Sequence, residues 1–415
     1  MKRNAKLAWV CHYNLDHSEV NRKESLDIID TGLEKIIKIQ SKIPWNFNAP
    51  TESLRFIEHE NPELIKKLGS NPKVQIIPCL CTHALPTLFS SYWFKRNFER
   101  GYEDINTLFN KSKISKVGCM PEMDFSMKYV DETKKIWDIV IVDSDDTARK
   151  YPYREDFMNR SYRSIKSGDS NKKNLISIIG NTDQDIPAIV INNGEGNCIR
   201  NNYLKYFRGI ATADKLIESI QMELDKATER GEPVVTSLTD IEVPYVNSVN
   251  GKPILDALEE LFYDLRSSGI KFTKLDKPIC KAIIKYLGKS NHYTIATDRF
   301  KEKWYSDSRA QAMLSNINDA LNPNQENLSL HAQGSDPFSM LFFDRKGGMR
   351  FKRMYKGKKI NDLFISSDPL RKYELEHTLG ALRGEYKLEE KIHKSLPEVQ
   401  RYFTVLNNIY QNKNK

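Results

Sequence analysis

Asp138-Ile139-Val140-Ile141-Val142-Asp143-Ser144-Asp145-Asp146 is the stretch that decides the fold. Four β-branched residues follow one another with no polar residue between them, so neither face of the strand they form is meant for water. Strands covered on both faces belong to parallel sheets flanked by helices. Outward from it, similar short runs predict strands at 7–11, 44–47, 74–80, 116–120, 175–179, 234–238 and 270–275, besides 138–143 itself. Helical segments lie between them. One starts after Thr51 and another at Pro62, a residue suited to a first helical turn. The segment after Thr212 sets Leu216, Ile217, Ile220 and Leu224 on one face. The segment after Pro253 carries Leu258, Leu261, Phe262 and Leu265 at the i, i+3, i+4, i+7 spacing. This alternation implies an α/β fold, either a barrel or a doubly wound sheet.

The chain has 415 residues, 39% hydrophobic, with 64 Lys plus Arg against 55 Asp plus Glu and a net charge of +9. That composition excludes wholesale disorder. No run approaches the roughly 20 apolar residues of a spanning helix, so no membrane partner is expected. The basic start at residues 1–6 leads into an apolar run that stops at His12 without a cleavage site, so no signal peptide is expected. The six cysteines (Cys11, Cys79, Cys81, Cys119, Cys198 and Cys280) fall mostly in apolar runs; they read as buried reduced thiols and place the protein in the cytosol.

Length alone suggests two or three domains. The change of pattern near Lys289 gives instead a barrel over 1–290 and a C-terminal helix-rich region over 291–415, with helices near 307–321, 373–396 and 398–410. Within the latter, 345–359 holds eight basic residues and no acid, interleaved with Met349, Phe351, Met354 and Tyr355. It reads either as a polyanion-binding ribbon or, preferably, as a solvated β-hairpin whose apolar residues face the core. Because acids are interspersed through the chain, the charge argues against a nucleic-acid partner. Two polar excursions, 144–174 and 194–208, are long enough to shape a binding site.

In parallel α/β folds the chemistry sits beyond the carboxyl ends of the strands. Here those ends carry His12 with Asp16 and His17 behind it, Thr82-His83, Pro121-Glu122, Asp143-Ser144-Asp145-Asp146, and Asp240-Ile241-Glu242. Singly, each has a bland reading as a core histidine, a cap or a turn; their shared position argues for a site. Two chemistries suit such a set. Glycoside cleavage needs two carboxyl groups flanking one bond. Metal-assisted hydrolysis needs two or three His and an Asp, which His12, Asp16 or His17, and Asp143 could supply. A third reading is a catalytically silent barrel that binds carbohydrate or polyanion through Arg350, Lys352 and Arg353.

The order of these features resembles glycoside hydrolase family 57, within the wider glycoside hydrolase and deacetylase barrel group. The matching elements are a first strand ending in His12, the Thr82-His83-Ala84-Leu85-Pro86 context, Pro121-Glu122, Asp240-Ile241-Glu242 and Ser335-Asp336-Pro337-Phe338. The sequence departs from the family pattern at His12-Tyr13-Asn14, at Cys119-Met120 and at Ile241, which stands where Gly is usual and is expected to stiffen the loop and fill space beside the acid. The resemblance implies a distorted (β/α)7 barrel with a C-terminal helix-rich region, and a retaining mechanism on α-linked sugars without a cofactor or catalytic metal. It further implies Glu122 as nucleophile and Asp240 as acid/base, their carboxyl groups about 5–5.5 Å apart. His12, His83 and Glu242 would line the sugar subsite, and Asp336 would reach or brace it. Asp143 at its strand end, and Trp45 as an aromatic able to stack on a sugar ring, complete the expected substrate-binding set. The expected partner is an oligo- or polysaccharide.

Overall fold

The computed structural model describes residues 4–14, 26, 28–143, 176–180, 184–191, 199–207, 209–241, 254–289, 293–294, 308–334, 354–355, 358–359, 375, 378–385, 401, 404–405 and 408–409. The first half runs β1 (Lys6–His12), α1 (Leu33–Gln40), β2 (Trp45–Asn48), α2 (Thr51–Glu60), α3 (Pro62–Ser70), β3 (Val74–Ile77), α4 (Ser91–Leu108), β4 (Val117–Cys119), α5 (Val130–Lys134) and β5 (Ile139–Asp143). It continues with β6 (Ile176–Gly180), β7 (Asp185–Ile191), α6 (Ile199–Phe207), α7 (Ala213–Arg230), β8 (Val234–Asp240), α8 (Ile254–Ser267) and α9 (Lys277–Leu287). The helices begin where the sequence signals them. Pro62 opens α3, and the Thr212 hydroxyl accepts the Lys215 amide at the start of α7.

The strands form two arcs. One has the order β3-β2-β1-β8, wholly parallel; the other runs β4-β5-β7-β6 and ends on the short β9 (Tyr293–Thr294), with only β6 and β7 antiparallel. Among the described residues the ladder does not close. Two hydrogen bonds join β3 to β4 at one seam, from the Ser115 amide to the Ile76 carbonyl (2.8 Å) and from the Cys119 amide to the Pro78 carbonyl (3.0 Å).

Side-chain alternation divides the barrel into inside and outside. Ala8 and Val10 of β1, Ile77, Val117, Cys119, Ile139, Ile141, Ile189, Ile191, Val234 and Leu238 form one interior cluster, stopped at its lower end by Leu275, Ile279 and Ile283. The alternate residues Trp9, Trp45, Phe47, Val74 and Val235 face the helices in a second cluster with Leu54, Phe56, Leu216, Ile220, Leu261 and Phe262. The expected α/β barrel is therefore observed, in an unclosed form, with both faces of its strands buried.

Three details depart from the sequence reading. The segment 270–275 is not a ladder strand: it makes a single bridge between Phe272 and Leu7 and hooks on through Leu275, whose amide donates to Asn46 Oδ1. β7 is a strand the sequence reading leaves out. Ile241, expected to stiffen the loop and fill space beside the acid, is instead buried in the outer cluster. Beyond the barrel, α10 (Ser308–Ala320) and α11 (Glu326–His331) bury Leu314, Ile317 and Leu330 against Leu85, Leu88 and Trp93. Arg96 pairs with Glu326, and buried Glu52 pairs with His331 (2.5 Å). Within the basic segment, Met354–Tyr355 and Lys358–Lys359 pair as a two-rung antiparallel hairpin; its other residues lie outside the described ones.

Gly118, at the centre of β4, is required by close approach: a Cβ there would stand inside the Trp137 indole, itself wholly buried beside Phe98. Gly118→Ala should therefore destabilise the protein by about 3 kcal/mol, at the upper end of overpacking costs. Urea unfolding would measure it; an unchanged midpoint would contradict this packing.

Candidate functional site

The site grows out of strand register. In the ladders of β1 with its two parallel neighbours, His12 pairs with Asn48 on one side and with Asp240 on the other. Three polar residues thus stand abreast at the carboxyl ends of β2, β1 and β8, and the Ile241 amide donates to the His12 carbonyl just beyond (2.8 Å).

A hydrogen-bond chain sets the charge and tautomer of His12. Asn48 is wholly buried; its Nδ2 donates to the Ile77 carbonyl (3.0 Å), so its Oδ1 is the atom that faces His12 Nδ1 at 2.6 Å. An oxygen acceptor there requires a proton on Nδ1 and leaves Nε2 with a lone pair. Nε2 is buried and has no partner among the described residues. Burial pushes the imidazole below its ordinary value and prevails over the upward pull of Asp240 and the Asn48 bond, while Arg200 adds to the depression. His12 therefore rests neutral at pH 7, presenting an acceptor.

Glu122 reaches the same place from β4 by a strained turn. Pro121–Met123 is one turn of 3-10 helix, in which Glu122 (φ 54°, ψ 14°) and Met123 (φ 56°) both take the left-handed conformation. Non-glycine residues pay about 1 kcal/mol or more for it. The Met123 amide donates to the Met120 carbonyl and the Asp124 amide to the Pro121 carbonyl, both at 2.9 Å, and the Met123 side chain is anchored in the interior cluster.

His83 follows β3 and is buried, its ring 5.3 Å from that of His12. Its loop is held by Asn97 of α4, which accepts the Thr82 amide and donates to the Thr82 hydroxyl. A bridge between Ala84 and Gly334 fastens the loop to the C-terminal region.

His12, His83, Glu122 and Asp240 line one recess that opens to solvent, with Cys119, Met120, Met123 and Leu238 as its apolar wall. One further residue lines it that sequence reasoning missed: Arg200, whose Nη2 lies 3.5 Å from Asp240 Oδ2. Its only signal was its position within the polar excursion 194–208. The remaining expectations divide. Trp45 is corrected: it is wholly buried on the helix-facing side of β2, edge-on to Phe47, and does not reach the recess. The backbone of Asp143 closes β5 opposite Ile191. Glu242 and Asp336 lie outside the described residues, as do Asp16 and His17 of the metal-hydrolase reading and Arg350, Lys352 and Arg353 of the polyanion reading. Among the described residues no group of three or more His, Cys, Asp or Glu side chains could hold a metal ion, and no helix is long and apolar enough to cross a membrane.

No protein-family model and no curated protein sequence matches this chain. Solved structures do. A GH57-type branching enzyme from Pyrococcus horikoshii superposes with a TM-score of 0.59 at 11% identity, covering 99% of this chain and 96% of that one. A GH57 branching enzyme from Thermococcus kodakaraensis gives 0.57 at 10% identity, covering 99% and 95%. A 4-alpha-glucanotransferase from Thermococcus litoralis gives 0.56 at 14% identity over 81% of this chain, which spans only 56% of that enzyme. The expected resemblance to glycoside hydrolase family 57 therefore holds at the level of fold.

Two predictions follow from the geometry. His12 is depressed in the folded state, so the unfolded chain binds its proton first as pH falls through about 6.5. The unfolded form gains from that proton, and stability falls with acidification. His12→Gln should flatten the loss of stability between pH 7 and pH 5, read from denaturant midpoints at each pH; identical slopes would refute the assignment. Glu122→Gly removes the left-handed penalty and should leave stability unchanged or raised by up to about 1 kcal/mol. A clear drop in thermal midpoint would show that the turn is not strained.

Proposed function

We propose that this protein is a carbohydrate-active enzyme of the glycoside hydrolase or transglycosylase type, acting on α-linked sugars with retention of configuration. The observation that carries this reading is the convergence of Glu122, Asp240 and a neutral, acceptor-presenting His12 on one recess at the strand ends. In the mechanism Asp240 delivers a proton to the glycosidic oxygen as the bond from that oxygen to the anomeric carbon breaks. Glu122 attacks the same carbon from the opposite face and forms a glycosyl ester. In the second half Asp240, now a carboxylate, takes a proton from water or a sugar hydroxyl, whose oxygen displaces Glu122. His12 Nε2 is suited to accept a hydroxyl proton from the sugar, and its unpartnered burial is relieved when it does. The turn at Pro121 fixes the Glu122 backbone before substrate arrives, which spares ordering entropy at the reacting centre.

The two-carboxylate assignment makes a direct demand. Glu122→Gln and Asp240→Asn should each lower turnover of α-linked oligosaccharides by about 10³-fold or more while near-UV circular dichroism stays native. Proton NMR of the first product formed should show the substrate's own anomer. Full turnover in both variants, or an inverted first product, would defeat the assignment.

A further inference from the structure

Arg200 is not accounted for by the two-carboxylate chemistry, and its surroundings give it a role. It is the second residue of α6, a helix pinned to the barrel close to Asp240. Tyr203 of α6 packs edge-on against Trp9 with ring centroids 5.5 Å apart, and Trp9 Nε1 donates to Thr239 Oγ1 (2.9 Å), the residue before Asp240. Ile199, Tyr203, Tyr206 and Phe207 are all buried, so the helix cannot shift without breaking the outer core. Arg200 lines two cavities. On one side it lines the recess with Asp240; on the other it lines a narrower cavity with buried Glu223 of α7 and with Thr236 and Ser237 of β8. The Thr236 and Ser237 hydroxyls are buried there with no partner among the described residues.

The pair is well shielded, the Asp240 side chain being 12% exposed and that of Arg200 28%. In such a place a guanidinium opposite a carboxylate favours the ionised over the protonated acid, where water would screen the effect. Among the described residues, the other titratable groups facing the recess are His12, His83, Cys119 and Glu122. His12 rests neutral, so among the described residues Arg200 is the fixed cation that meets Asp240. Resting on the reading of Asp240 as acid/base, we propose that Arg200 is a positioning residue that orients Asp240 and holds it ionised in the empty site. The resting enzyme is thereby set for the half of the cycle in which Asp240 takes a proton from the acceptor hydroxyl. The proton for the opening half is taken up against the pull of Arg200.

The test needs no substrate. Carboxyl-13C aspartate labelling, with the Asp240 resonance assigned by its loss in Asp240→Asn, gives the titration midpoint of Asp240 in the full chain. Arg200→Met should raise that midpoint by about one unit or more, a tenfold shift in the protonation equilibrium. Arg200→Lys, which keeps the charge but loses the planar fork, should restore it at least halfway. A midpoint in Arg200→Met that is unmoved or lowered overturns the proposal, as does a Lys variant that behaves like Met. If Arg200→Met does not fold, Arg200→Gln is titrated in its place, with the same outcomes. On oligosaccharide, the alkaline limb of kcat/KM should move upward with the NMR midpoint, since that ratio reports groups of the free enzyme. A flat titration beside inactive Glu122→Gln removes the role of Arg200 alone. A fully active Glu122→Gln removes the reaction and leaves the titration to be judged by itself.

Discussion

The parallel register of β1 against β2 and β8 is the constraint on which the rest depends. Asn48, His12 and Asp240 occupy one row across three strands, and the period of a strand is two. Slipping any of the three by one residue would send its polar end into the helix-facing core and bring a residue such as Cys11 or Phe47 to the mouth. The register is held from both sides. Outside, Trp9, Trp45 and Phe47 fit a packed helix layer; inside, Asn46 Nδ2 donates to the Trp9 carbonyl while its Oδ1 accepts the Leu275 amide. Each of these fixes the same phase, so the polar row is a by-product of a core that has no second solution.

The interior has a gradient along its axis. Its floor is α9 with Leu275, Ile279 and Ile283, its middle is mostly Val, Ile and Ala from seven strands with the hydrogen-bonded Asn46 among them, and the polar residues that line the recess stand at the carboxyl ends. An ionisable group at the mouth therefore sits over an apolar column that cannot solvate it. For His12 this depresses the imidazole, and Asn48 converts the depression into one defined tautomer. For Cys119, one turn below Glu122, burial together with nearby Cys79 and Glu122 drives the thiol well above its ordinary range and keeps it a passive wall residue. The net charge of +9 describes none of this, since the recess combines two carboxylates, one guanidinium and histidines.

Most of the barrel was legible because β-branched runs such as 139–142 and amphipathic stretches such as 213–230 admit one reading each. β7 was missed because Pro187 stands inside an otherwise plain apolar run, and proline argues against a central strand; here it is accommodated where β7 meets β6 antiparallel, opposite Ile178. The segment 270–275 has strand composition yet spends its backbone on Leu7 and the Asn46 side chain, a tertiary choice that no local pattern records. Trp45 shows why sites are harder to read than folds. In 45–48 the aromatic residues alternate with asparagines, and the usual inference turns asparagine towards water. In a strand whose outer face meets helices, the aromatics go outward to the core and the asparagines inward, Asn46 to the barrel interior and Asn48 to the row at the mouth. Arg200 left no trace of this kind, because it meets Asp240 from a helix end only after β1, β8 and α6 have packed.

The Pro121 turn bears on why the site is built this way. Two successive left-handed residues are costly, and a glycine at either position would remove the cost. Met123 is explained by packing, since its side chain plugs the interior cluster. Glu122 has no such explanation, being only partly buried and at the rim of the recess. Pro121 fixes the first torsion, the two backbone hydrogen bonds close the turn, and the burial of Met123 locks its far side, so the backbone of Glu122 has no freedom left. A carboxylate delivered this way loses no backbone entropy when a ligand meets it, whereas the same side chain on a relaxed loop would have to be ordered first. Strain kept at the position of a carboxylate, and supported by packing on every side, is the arrangement expected when the direction of that carboxylate matters more than the stability it costs.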